Sequence, residues 1–126
     1  MSAAADLAVS VTPWNDHCVL TLHGELDMSN APAFARLLER TIAAGEVRIV
    51  VDACGLRFCD SDGMRVLLVG ANRCTAAAGW LRVAAPQAHL ARVLAVTGLL
   101  PVLPTYRSVA GAAAATNSDR LTADGQ

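Results

Sequence analysis

The chain is expected to fold as an α/β sandwich. A mixed sheet of four to five strands opens with an antiparallel hairpin and is covered by about four helices. Three features predict this. Strand-like and helix-like segments alternate once the first two strands have passed. Val47 to Val51 is almost continuously apolar, as a central strand covered on both faces must be. The 126 residues contain no internal repeat and no dividing linker, so they build one core.

Leu7 to Val11 and Cys18 to Leu22 alternate apolar and polar residues, and Pro13-Trp14-Asn15-Asp16-His17 between them is rich in turn formers. Together they predict the hairpin. Gly24-Glu25-Leu26-Asp27 leads out of the second strand. Ser29 and Asn30 are capping candidates, and Pro32 suits the first turn of a helix. That helix places Phe34, Leu37, Leu38 and Ile42 on one face and ends at Gly45. After Val51, the stretch Asp52 to Asp60 reads as a loop with Leu56 and Phe58 packed inward. The second helix begins at the corner Asp60-Ser61-Asp62-Gly63 and runs to about Ala78. Met64, Leu67, Leu68, Ala71, Cys74, Thr75 and Ala78 recur along it at helical spacing.

Gly79 stops that helix, and Trp80 to Ala84 is a further short strand. Pro86 and Gln87 open a third helix with Leu90, Val93, Leu94 and Thr97 on one face, closed by Gly98. Pro101 to Leu103 reads as a last strand, held to the sheet edge by its prolines. Val109 to Ala115 reads as a final short helix despite Gly111. The domain is thus expected over 6–115, with 116–126 a polar, disordered tail.

Composition narrows the function. The chain is 54% hydrophobic but only 4% aromatic, and its net charge is −1. Nucleic acid calls for a basic face, which this balance does not provide. The longest uncharged stretch relevant to a membrane, Val93 to Tyr106, is too short to span and is broken by Gly98, Pro101 and Pro104. Met1 to Ala5 carries neither a basic cluster nor a long apolar segment, so a cytoplasmic location is expected. Cys18, Cys54, Cys59 and Cys74 form no CxxC pair, and the three histidines show no metal-ligand spacing. No metal or cofactor is therefore called for. Cys54 and Cys59 can approach around the expected loop as a redox pair; small buried thiols in a reducing compartment are the plainer reading.

Ser61 is the residue on which function turns. It stands at or next to a helix start, where backbone N–H groups lack partners and the helix dipole is positive. A hydroxyl there can cap the helix, and it can equally carry a phosphate. The triplet Asp60-Ser61-Asp62 is also what an ordinary helix N-terminus uses, because Asp and Ser are the usual capping types. Asp62, Val66, Val69 and Arg73 follow at spacings of four, three and four. If outward, the two valines form an exposed apolar pair flanked by charge, as an interface needs; the alternative is burial under a neighbouring helix.

The chain resembles the STAS-domain anti-sigma factor antagonist (anti-anti-sigma factor) family. Gly24-Glu25-Leu26-Asp27 followed by Ala31-Pro32 matches one family segment, and Phe58-Cys59-Asp60-Ser61-Asp62-Gly63-Met64 matches another. Weaker agreement continues through Val93 to Leu99 and Tyr106-Arg107-Ser108. The resemblance implies a STAS-like sandwich. It implies that Ser61 is phosphorylated by an anti-sigma factor with serine kinase activity, and that a PP2C-type phosphatase resets it. Unphosphorylated, such a protein binds the kinase and frees a sigma factor. Asp27 matches the family aspartate beside the phosphoserine loop. Asp60, Asp62, Gly63 and Arg65 flank the acceptor, and Val66, Val69 and Arg73 extend the partner surface. Asp62 stands where the family usually has Ser or Thr, and Arg65, where the family often has a small residue, can offset the acidic corner. A monomer or weak dimer, without enzymatic activity, is expected.

Three rivals remain. A phospho-aspartate receiver would use Asp52, but no acidic pair follows the first strand to hold Mg²⁺. A serine hydrolase lacks a Gly-x-Ser-x-Gly elbow, and neither His23 nor His89 has an acid at a telling spacing. A STAS module that never cycles through phosphate, acting as a scaffold or decoy binder, would bind a partner without incorporating phosphate at Ser61.

Overall fold

A computed structural model describes residues 7–123. Five strands lie side by side in chain order: β1 (Leu7–Pro13), β2 (Cys18–Leu26), β3 (Arg48–Cys59), β4 (Trp80–Ala84) and β5 (Thr105–Tyr106). β1 and β2 form the antiparallel hairpin, and every later pairing is parallel. Four α-helices, α1 (Ala31–Ala43), α2 (Ser61–Ala76), α3 (Ala88–Val96) and α4 (Val109–Ala114), make the crossovers and the final cover. The mixed sheet, the opening hairpin and the central position of Val47 to Val51 agree with the sequence.

Period-two alternation divides the strands between two faces. Leu20, Leu22, Ile49, Val51, Ala53, Leu81 and Val83 turn to one face. Phe34 and Leu38 of α1, Met64, Leu67, Ala71 and Cys74 of α2, and Leu90 and Leu94 of α3 close over them. Val19, Val50, Ala84 and Tyr106 turn to the other face, under Ala112 of the short α4. Arg82 ties α4 down: Nη1 donates to the carbonyls of Ala112 and Ala113, while its guanidinium lies 3.7 Å above the Trp80 ring.

Five expectations are corrected. The predicted loop from Asp52 to Asp60 is mostly strand. β3 continues to Cys59, with a register shift between Thr21 and His23 of β2 and another between Gly24 and Glu25. At each shift β3 carries one extra residue, which breaks its alternation and hides the strand pattern. The same bulges leave Leu56 buried but turn Phe58 outward, at 46% exposure. Phe58 therefore does not pack inward. Cys54 and Cys59 sit five residues apart along extended chain, on the order of 15 Å, and both thiols are free. The redox pair is not formed.

The last strand is Thr105–Tyr106, not Pro101–Leu103. Pro101–Leu103 is a turn in which the Val102 and Leu103 N–H groups donate to the Leu99 carbonyl, and Leu103 plugs the core. A strand there would forfeit ladder donors at Pro101 and Pro104.

The segment after Thr116 does not behave as a disordered tail over the described residues. Asn117–Asp119 forms a 3₁₀ turn, Arg120 bridges Tyr106, and the Leu121 N–H donates to the Thr105 carbonyl. The Asp119 carboxylate accepts from both the N–H and the hydroxyl of Ser108, the residue that caps α4. The polar residues of this strap are spent on capping, and they cover the exposed edge of β5. Residues 124–126 of the expected tail lie outside the described residues.

Burial pushes the thiols of Cys18 and Cys74 up to about 11. An unfolded thiol titrates near ~8.5, so the folded groups are the more reluctant to ionise. Stability from this source is complete below about pH 8.5 and is lost as pH rises toward 11. Urea midpoints are expected to fall across that window, and less steeply in a Cys18→Val/Cys74→Ala variant. A midpoint that stays level in the parent chain up to pH 11 would contradict the burial of these thiols.

Candidate functional site

The site is built by the register of two parallel neighbours. Leu26, the last residue of β2, pairs with Cys59, the last residue of β3. Asp27 and Asp60 are therefore the first residues beyond adjacent strand ends, and the β2–α1 and β3–α2 loops emerge side by side. The carboxyl ends of parallel strands are where α/β folds place their functional loops. Two motifs more than thirty residues apart in the chain thus become one surface.

Asp60 joins the two loops. Its N–H donates to the Leu26 carbonyl. Its Oδ2 accepts from the Met28 N–H at 3.0 Å, and its Oδ1 accepts from the Gly63 N–H at 2.9 Å. The second contact makes Asp60 the N-cap of α2, in extended backbone conformation. Both carboxylate oxygens are thereby committed to backbone donors.

Asp27 organises the companion loop. Its Oδ1 accepts from the N–H and, at 2.6 Å, the hydroxyl of Ser29. The Ser29 hydroxyl holds the Asp27 carboxyl below the usual carboxylate range, with help from the Ser29 and Asn30 backbone. Asn30 precedes α1 but does not cap it through its side chain. It turns back instead: Oδ1 accepts from the Asp27 N–H, and Nδ2 donates to the Glu25 carbonyl.

Ser61 is the first residue of α2 and is exposed. Among the described residues its hydroxyl makes no hydrogen bond, because Asp60 has taken the capping role. It opens onto a cleft of about 370 Å³ that runs between α2 and α3, past Met64, Arg65, Leu68 and Val93. Gly63 is required for α2 to start this close to the sheet. A Cβ there would lie 2.7 Å from Leu26 Cγ and 3.0 Å from Cys59 Sγ.

The remaining expected residues fall into two groups. Asp62 is half-buried and Arg65 exposed, on the turn after Ser61. The pair Val66 and Val69 is split. Val69 is 47% exposed, whereas Val66 is half-covered, and both line a cleft between α1 and α2 with Ala35, Leu38 and Ile42. Arg73 closes that cleft at 3.5 Å from Glu39 in a surface ion pair, a contact of little energetic weight. Sequence reasoning missed the exposure of Met28, on the β2–α1 loop, and of Phe58, next to the end of β3, which stand 72% and 46% exposed beside the site. An apolar residue directly after the Asp27 turn is a legible signal for Met28; Phe58 depends on a bulge that leaves none.

The rival chemistries find no support in this geometry. The Asp52 carboxylate accepts from the Cys54 N–H. His23 is exposed, on the sheet face opposite Leu22, and among the described residues it has no hydrogen-bonded acid. No described helix is long and apolar enough to cross a membrane.

The chain carrying this sandwich and its two joined loops belongs to the STAS-domain family: residues 10–104 match the family model described as Mlab, STAS domain. It is 30% identical to BtrV of Bordetella bronchiseptica, named a putative anti-sigma factor antagonist, over 77% of this chain and 84% of that one. A solved anti-sigma factor antagonist from Mycobacterium paratuberculosis superposes with a TM-score of 0.80 at 25% identity, covering 93% of this chain and 99% of the other. Unphosphorylated SpoIIAA, a Bacillus anti-sigma factor antagonist also solved in its phosphorylated form, shares the fold with a TM-score of 0.73 at 22% identity over 88% of this chain and 97% of its own.

Replacing Asp60 by Ala removes two charge-assisted bonds, one of which is the α2 cap. A loss of about 1–2 kcal/mol is expected, read by urea denaturation, with faster amide exchange at Met28 and Gly63. Gly63→Ala is expected to lower stability by about 1–3 kcal/mol through overpacking against Leu26. Unchanged exchange at Met28 in the Asp60 variant would show that the two loops are not joined as described.

Proposed function

We propose that this chain is a phosphorylation-switched anti-sigma factor antagonist of the cytoplasm. Unmodified, it binds an anti-sigma factor with serine kinase activity, and the sigma factor is released. The kinase modifies Ser61, the complex dissociates, and a PP2C-type phosphatase restores the binding form. The chain acts as a binding switch and carries out no catalysis itself.

The observation that supports this most is the division of labour at the α2 corner. Asp60 caps the helix, so the exposed Ser61 hydroxyl is left without a structural task. A phosphate there adds about −1.5 to −2 charges beside Asp60 and Asp62. It is met by backbone N–H groups at the helix start, so the core need not move. A partner docked over this corner then faces a desolvated dianion and leaves. Asp27 serves by holding the neighbouring loop, and the exposed Met28 and Phe58 supply apolar contact area around the acceptor.

Asp62 favours a second reading. An acidic residue next to the acceptor, where the family usually has Ser or Thr, weakens recognition of Ser61 by a kinase, as would suit a STAS scaffold that binds without phosphate turnover.

The test uses the cognate kinase and ATP. Ser61→Ala is expected to retain binding and take up no phosphate, and Ser61→Glu to bind at least ~10-fold more weakly, within the range for a misplaced charge at an interface. Equal affinity of the two variants would overturn the charge mechanism. No mass increase at Ser61 with binding intact would favour the scaffold.

A further inference from the structure

We propose that Arg65 is the counter-ion of the phosphoserine at position 61, and that it links that corner to the cleft between α1 and α2. The inference rests on Ser61 being the modified residue and adds which side chain reads the modification.

Ser61 and Arg65 are four positions apart within one sixteen-residue helix, so they are stacked on one face, one turn apart. Both line the cleft between α2 and α3. Arg65 also lines the α1–α2 cleft with Val66, Val69 and Arg73, and the adjoining recess with Met28, Pro32 and Asp62. It therefore stands on the ridge that separates the two sides of α2. Among the described residues no carboxylate lies within ion-pair distance of its guanidinium, although Asp62 is only three positions away. The other carboxylate at this corner, Asp60, has both oxygens occupied by the N–H groups of Met28 and Gly63. Arg73 is already paired with Glu39.

A long, exposed cation without a fixed partner responds to the strongest nearby anion. In the unmodified chain Asp62 is the nearest candidate. A phosphate on Ser61 carries about twice the charge and offers three oxygens, which suit the planar fork of a guanidinium. Arg65 then swings toward Ser61 and away from the rim of the α1–α2 cleft. One side chain thus carries the modification from the corner to the apolar surface beside Val66 and Val69.

The test installs phosphoserine at position 61 during synthesis, so its outcome does not depend on any kinase. The second ionisation of the phosphate is followed by phosphorus NMR in the parent chain, in Arg65→Gln and in Arg65→Lys. The parent is expected to ionise lower than Arg65→Gln by about 0.3 unit or more, on the scale of an exposed helical ion pair. Arg65→Lys is expected to fall between them, and 1 M salt to erase most of the difference. Circular dichroism of the three proteins confirms a common fold. Identical ionisation in parent and Arg65→Gln would overturn the pairing. Failure of kinase and ATP to modify Ser61 would instead sink the proposed function and leave this comparison to decide the pairing by itself.

Discussion

The carboxylate of Asp60 reaches in two directions at once, to the Met28 N–H on one loop and the Gly63 N–H on the next helix. Without it, the β2–α1 loop and the start of α2 would be neighbours only by the accident of strand order. With it, they are one surface, and the residue after Asp60 is spared any role in holding the helix. A charged acceptor bound to two backbone donors is stronger than a neutral hydroxyl in the same place. Asp60 can therefore outcompete Ser61 for the capping role, and Ser61 remains available to solvent.

The rest of the fold keeps that corner in position. Leu26 and Cys59 end adjacent parallel strands in register. Leu26, Leu67 and Met64 anchor α2 to the larger core, and Gly63 permits the approach that brings the helix start against Leu26. Gly70, further along α2, is packed against Leu38 of α1 and Leu81 of β4. The corner is closely packed beneath and open above, which is what a modification site needs if its charge is to be read by a partner rather than absorbed by the protein. Cys59 completes the floor; burial, with the neighbouring Asp60 charge adding to it, pushes its thiol up to about 12 and keeps it neutral.

Much of this was legible in the residues. Hairpin, helices and central strand follow from alternation, helical spacing and the Gly and Pro positions that punctuate them. The acidic corner at Ser61 was readable as a helix start, but which residue caps it was not. Asp60 and Ser61 are both capping types, and the choice is made by the pairing of Leu26 with Cys59, a contact between distant segments. The outer half of β3 was hidden because its two bulges destroy period-two patterning. Pro101 to Leu103 looked like a strand because apolar content there serves a buried turn. The final polar residues looked unstructured because their composition is that of a solvated tail, while Asp119 in fact works as a partner of the α4 cap.

The central claim is that Ser61 can gain a dianion while the core stays as it is. Backbone amide spectra of the unmodified chain and of the chain bearing phosphoserine at 61 test it most directly. Shifts are expected only at about residues 27–30 and 60–69, with the core amides of β3 and β4 unmoved. Shifts spread across the sheet, or a loss of dispersion, would contradict it, because the hydroxyl would then have been part of what holds the fold together.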